Sequence, residues 1–255
     1  MNEDIRIPPL PAAVGVTHLR VYDTAAPDGL VGGSPHVHFV CSEAYLVVGG
    51  RGAVQTLSAQ GFREIALTPG ALVWFTPGTI HRLINGGELE LQIVMQNAGL
   101  PEAGDFVLTF PAATLADPEA YFAAASLSPR GEVYTNSQEA ARRRRDLAVV
   151  GFAELRAAYD AEGPAALERF YRAAARLIRP KLDAWRAVWE RGPLAAAHRT
   201  GAQLDALAVG EVAYLLESGV YDLPPPREPR RLGVCGTLGV YLPEGRTAGQ
   251  RIGNG

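Results

Sequence analysis

The sequence predicts a mainly β protein with an α-helical extension. Three observations carry that reading. Up to about residue 112 the chain is a series of short strand-like runs broken by glycine turns. Beyond it, the apolar spacing switches to three and four. Near the end, strand character returns.

The expected strands cover 16–22, 37–40, 44–48, 52–57, 71–75, 81–84 and 88–95. Gly32-Gly33, Gly49-Gly50, Pro69-Gly70, Pro77-Gly78 and Gly86-Gly87 punctuate them. Many short strands with regular turn signals predict a sandwich, a barrel or a jelly roll.

The helical part, 113–222, has its own signals. Asp117-Pro118-Glu119 reads as an N-cap, a proline at the first helical position and an acidic first turn, opening a helix to about Ser126. Ser137 caps another through Arg142–Arg145, and 152–161 continues the helical character. From 164 to 190, Leu167, Phe170, Ala174, Leu177 and Trp185 belong to one buried stripe, which Pro180 should kink or divide. Trp185 and Trp189 lie one turn apart and should pack on the barrel or on a second subunit. A last helix is expected over 202–216. In the final part, 223–255, Pro224-Pro225-Pro226 forms a stiff connector. One or two strands within 232–242 then return to cover an edge of the sheet.

Composition excludes several classes of function. Hydrophobic residues make up 47% of the 255, too many for general disorder, and the net charge of −3 implies neither a nucleic-acid nor a membrane partner. Two cysteines form no disulfide framework, and no apolar run of 18 residues or signal peptide is visible. A cytoplasmic protein is expected.

Three of the five histidines fall in two short motifs. The first reads Pro35-His36-Val37-His38, followed by Glu43. The second reads Thr76-Pro77-Gly78-Thr79-Ile80-His81, followed by Asn85. On a strand, His36 and His38 project to one side, as two ligands of one ion must. Glu43 has the opposite parity, so a turn or bulge near Cys41-Ser42 must redirect it. Three imidazoles and a carboxylate are donors for a divalent first-row metal.

These motifs resemble the two signatures of the cupin superfamily. His36, His38, Glu43 and Gly50 match the first, and Gly70, Gly78, His81 and Asn85 match the second. Thr76 replaces the usual proline of the second motif, and Leu30 the usual leading glycine of the first; neither is a ligand position. The resemblance covers about 29–85. It implies a double-stranded β-helix (jelly-roll barrel) over about 16–110 of the 1–112 region, and a homodimer.

Four protein ligands leave coordination positions for a small-molecule substrate, water or O₂. Iron is the first expectation for the ion, with manganese, nickel and zinc as alternatives. The expected function is a metal-dependent dioxygenase acting on a small organic molecule. The alternatives are an isomerase or epimerase acting on a sugar or keto acid, and a non-catalytic small-ligand sensor. Tyr45, Gln55, Trp74 and Gln92 are candidates to line the pocket. Cys41 is read as core, His18 and His198 as surface or capped histidines. Arg142–Arg145 is read as a solvated helix with Glu139 and Asp146 as partners.

Overall fold

The computed structural model describes residues 8–128, 137–226 and 228–241. Among them, eleven strands run in chain order as β1 (Gly15–Val21), β2 (His36–Val37), β3 (Glu43–Gly49), β4 (Gly52–Ser58), β5 (Gly61–Leu67), β6 (Leu72–Phe75), β7 (Ile80–Asn85), β8 (Glu90–Met95), β9 (Val107–Leu108), β10 (Arg231–Leu232) and β11 (Gly236–Tyr241). One sheet has the order β10-β11-β1-β8-β3-β6 and the other β5-β4-β7-β2-β9. All the strand pairs are antiparallel.

The inner set, β1-β8-β3-β6 facing β5-β4-β7-β2, is the eight-strand order of a double-stranded β-helix. From β1 to β8 the chain therefore passes from one sheet to the other at every step except the β4–β5 hairpin. Alternation along each strand fills the barrel. Tyr45 and Val47 of β3, Leu91 and Ile93 of β8, Val54 of β4 and Leu83 of β7 point inward and are buried.

The late strand β11 pairs with β1 along its length, from Val16 opposite Tyr241 to Val21 opposite Gly236. It covers what would otherwise be an open edge. Two strands had no sequence signal. In β5, Arg63 and Glu64 interrupt the apolar run, and β9 is only two residues long. The strand expected over 37–40 is shorter, because the amides of Phe39 and Val40 donate to the Asp105 carboxylate instead of to a ladder.

The helices are α1 (Ala112–Ala116), α2 (Pro118–Ala125), α3 (Gln138–Glu162), α4 (Pro164–Ile178), α5 (Leu182–Trp189) and α6 (Ala195–Ala208). Asp117 caps α2 by accepting from the amides of Glu119 and Ala120, at 2.9 and 3.2 Å. Ser137 caps α3 through the Ala140 amide at 3.2 Å. A 3₁₀ turn, Arg179–Lys181, divides α4 from α5 at Pro180. The last helix differs from its expected span: α6 begins at Ala195 and ends at Ala208, followed by a 3₁₀ turn at Ala213–Glu217. Gly210, at φ +80°, lies in the break between them.

Helix α3 docks so closely that a Cβ on Gly151 would lie 2.1 Å from the Thr109 carbonyl oxygen. Beside it, Thr109 Oγ1 donates to the Ala148 carbonyl at 2.9 Å. The arginine run corrects a second expectation. Arg143 pairs with Glu139 on the exposed side, but Arg144 and Arg145 are buried. Arg145 Nη1 donates to the Thr24 carbonyl and Nη2 to the Ala25 carbonyl, both at 2.7 Å, and Arg144 Nη2 donates to the Gly233 carbonyl at 2.6 Å. Successive helical residues point around the axis, so half of the run faces the barrel and binds carbonyl groups that the loops leave over. No helix among the described residues is long and apolar enough to cross a membrane.

Candidate metal centre

His36 lies on β2 and is paired in register with His81 on β7. The chain then leaves one sheet, crosses through residues 38–42 and enters the other as β3, whose first residue is Glu43. This change of sheet aims Glu43 back at the histidines. His36, His38, Glu43 and His81 are all buried, and one donor atom from each lies within 4.8 Å of the others. A single first-row ion spans such a set with bonds of about 2.0–2.2 Å.

The far side of each ring is tied to backbone. His36 Nδ1 meets the Ser34 carbonyl at 3.0 Å, His81 Nδ1 meets the Thr79 carbonyl at 3.0 Å, and His38 Nδ1 meets the Asp105 carbonyl. A carbonyl only accepts, so each Nδ1 carries a proton, and in the neutral ring the lone pair is then on the inward Nε2. Metal-binding histidines are oriented in this way.

Two of the inward atoms are left without hydrogen bonds. His81 Nε2 and Glu43 Oε2 are buried and unpartnered, although they approach to 3.1 Å. Glu43 Oε2 also lies 3.4 Å from His38 Nε2. Buried polar atoms in natural proteins find partners, so two unaligned acceptors side by side point to a cation between them. The donor set fits a divalent metal.

The electrostatics of the four groups differ from one to the next. Burial, reinforced by the imidazoles of His81 and His38, holds His36 well below its ordinary range and therefore neutral. Burial also disfavours charge on His38, but the Glu43 carboxylate and Asp105 outweigh it and raise the ring. Burial opposes ionisation of Glu43 as well; His81 and His38 more than offset this and keep its carboxyl below the usual carboxylate range.

Of the four candidate pocket residues, only Tyr45 faces the barrel interior. It follows Glu43 by two on β3, is fully buried, and its ring centroid lies 6.2 Å from that of His81. Its hydroxyl has no hydrogen-bond partner, and burial together with the Glu43 charge pushes its pKa well up, so it stays protonated. Trp74 is corrected by parity: it alternates with the inward Phe75 and is 69% exposed on the outer face. Gln92 stands opposite Leu46 and His18 on that same outer face. Gln55 stands opposite Arg82, not His81, and its Nε2 donates to Glu64 at 2.8 Å.

Several neighbours of the site had no motif to announce them. Phe75 packs at 4.2 Å from the His81 ring and Phe106 at 6.3 Å from the His36 ring. Asp105 supports His38 from a distant loop, and Cys235 Sγ lies 3.9 Å from His36 Nδ1. Phe75 alone had a signal, as the last inward position before the second motif. Cys41 is buried outside the ligand set, and burial raises the thiols of both cysteines. His18 bonds Glu90 at 2.9 Å, while His198 is exposed.

The helices reach the loops that carry the candidate ligands. Tyr171 of α4 donates to the Gly78 carbonyl at 2.5 Å, on the turn leading to His81. Trp185 Nε1 of α5 donates to the Ala103 carbonyl at 3.1 Å, just before Asp105. Asn85 of the second motif is structural: its side chain accepts from the Gly87 and Leu89 amides at 2.9 and 3.1 Å.

No protein-family model matches the chain, and no curated protein matches it. Solved structures do resemble parts of it. One is CENP-C of Drosophila melanogaster bound to CAL1, at 18% identity and a TM-score of 0.25, covering 32% of this chain and 62% of that one. Another is the TDP-quinovose 3,4-ketoisomerase WlaRB of Campylobacter jejuni, at 12% identity and 0.26, covering 31% and 60%. A third is a Klebsiella pneumoniae protein with a double-stranded β-helix domain, at 22% identity and 0.25, covering 37% and 70%. The chain thus spans less than two thirds of the length of the first two. Such a barrel hosts unrelated functions, so function has to be argued from the site.

Proposed function

We propose that this protein is a metal-dependent cupin enzyme of the dioxygenase type, acting on a small organic molecule. His36, His38, Glu43 and His81 are its metal ligands. The observation that carries this reading is the polarity of the site: three Nδ1 atoms tied to carbonyls, with the inward Nε2 of His81 and Oε2 of Glu43 buried and unpartnered. A bound divalent first-row ion, iron first, supplies Lewis acidity and redox chemistry toward O₂ and substrate.

The chain's own residues do the rest. Glu43 offsets the charge of the ion. The carbonyls of Ser34, Thr79 and Asp105 fix the rings. Phe75 and Phe106 exclude water beside the ligands and offer an apolar wall to an organic substrate. Tyr45, held protonated, can donate a hydrogen bond within the pocket but cannot act as a base at neutral pH. Helices α4 and α5 rest on the ligand loops and shape the approach of the substrate.

The isomerase reading needs a proton acceptor beside the substrate. Asp105 comes within 3.9 Å of His38, but its carboxylate already accepts from the amides of Phe39 and Val40. This favours oxygen chemistry. The test is metal analysis of protein purified without chelator, combined with an oxygen electrode and a panel of small organic acids, thiols and phenols. Iron near one equivalent, with oxygen uptake lost in His81→Ala, supports the proposal. Metal-dependent sugar or keto-acid isomerisation without oxygen uptake replaces it with the second reading. Ligand binding without turnover replaces it with a sensor.

A further inference from the structure

The four candidate ligands are shut in. None of His36, His38, Glu43 and His81 is more than 7% exposed. Phe75 and Phe106 stand beside the rings of His81 and His36. An ion or an organic molecule reaches the four side chains only if something moves. Two loops border them. The 76–79 turn leads into His81, and the 96–106 loop brings Asp105 to His38 and Phe106 to His36.

One stretch of helix clasps both loops. Tyr171 of α4 holds the turn through the Gly78 carbonyl, and Trp185 of α5 holds the loop through the Ala103 carbonyl. Val188 of α5 seats on Gly99, where an added Cβ would lie 2.7 Å from its Cγ1. The Lys181 ammonium covers Gly104 in the same way, at 2.8 Å. Between α4 and α5 lies the 3₁₀ turn Arg179–Lys181, where Pro180 offers no amide to the helical ladder.

The two halves of the clasp are unequally anchored. Helix α4 buries Leu167, Phe170, Ala174, Leu177 and Ile178. Beyond it, from residue 179 to 226, Trp185 is the single buried side chain. The π-helical turn Glu190–Leu194 and α6 bury none. A unit with so few buried contacts opens locally at a far lower free energy than the barrel around it.

We propose that α5 and α6 form a hinged gate to the metal centre, with the 179–181 turn as its hinge and Trp185 as its latch. The inference rests on the metal-binding reading given above. When the indole leaves the Ala103 carbonyl, α5 lifts from the 96–106 loop while α4 keeps its place on the 76–79 turn. The loop can then carry Phe106 away from His36, which opens a path beside His36 and His38. Glu43 and His81 stay on β3 and β7. The gate therefore sets how fast an ion comes and goes, and the barrel sets how tightly it is held.

Hydrogen exchange of the full chain and metal transfer to a chromophoric chelator test this together. Zinc(II), which takes the same ligands without redox chemistry, is the probe. In the wild type, 182–208 should exchange as one unit, at least about tenfold faster than 164–178. Trp185→Phe keeps an aromatic ring but lacks the indole N–H. Losing one hydrogen bond raises the open population by about 2–10-fold, so zinc uptake and release should both accelerate by that factor, with the affinity within about twofold of wild type. Exchange should rise in 182–208 and in 96–106, and stay unchanged in 164–178. Faster release with a matching loss of affinity means that Trp185 only braces the Asp105 loop, and overturns the gate. Unchanged zinc rates overturn it, and so does a wild type in which 182–208 is as protected as α4, a result independent of how the variant folds. A chain that binds no zinc fails the metal-binding reading itself, and the gate with it.

Discussion

Replacing Asp105 by alanine tests how the fold prepares the candidate metal centre. Asp105 is fully buried, and its carboxylate accepts from the Phe39 amide at 2.8 Å and the Val40 amide at 3.2 Å. Its backbone oxygen accepts from His38 Nδ1. The alanine variant leaves two part-buried amides without a charged acceptor, at up to about 1.5–3 kcal/mol each, or at most about 3–6 kcal/mol together. Asparagine keeps one acceptor oxygen and should cost about half as much. The 38–42 crossing then loses its anchor and His38 its fixed ring, so metal affinity should fall by about 10–100-fold. Urea unfolding of metal-free protein measures the first effect, and competition with a chromophoric chelator measures the second. Alanine within 1 kcal/mol of wild type, or full metal affinity in a destabilised variant, would refute the reasoning.

Other outcomes follow from the same geometry. Glu43→Gln keeps the shape but removes the charge, and should reduce bound metal well below one equivalent by elemental analysis while the barrel stays folded. Gly151→Ala sets a Cβ against the Thr109 carbonyl, so the ordinary helical gain is reversed. A loss of about 3 kcal/mol or more, seen as roughly 6–12 °C in a thermal melt, is expected. Asp28 faces the buried Arg82, with Arg82 Nη2 at 3.2 Å from its Oδ1. Burial works against the Asp28 charge, but Arg82 outweighs it and lowers the pKa. The folded state thus binds its proton less readily than the unfolded one, so this stabilisation is present above the ordinary carboxylate pKa and is lost as pH falls through the lowered one. Asp28→Asn should cost about 1–3 kcal/mol at neutral pH, since water still reaches Asp28, and should flatten that acid limb.

Much of the barrel was legible because its signals are local. A period of two, interrupted by glycines where the chain must turn, gives strands without knowledge of their neighbours. Asp117 and Ser137 mark helix starts because a cap acts within three residues. The helix expected over 202–216 was misplaced because a segment without a packed face carries little periodicity to read. Arg144 and Arg145 were misjudged because charge suggests solvent, while the carbonyl groups that receive them come from residues 24, 25 and 233.

The sequence alone determined the candidate ligand types, their order and a mainly β framework, since these depend on residue identity and short spacing. Only the tertiary structure decided which atoms of those ligands turn inward. It also decided that Asp105 and Cys235 come from distant segments to stand beside them, and that Trp74 and Gln92 look outward while Tyr45 looks in. The physical reason is that a strand's parity is known from the chain, but which of its two faces is enclosed depends on the sheet laid against it.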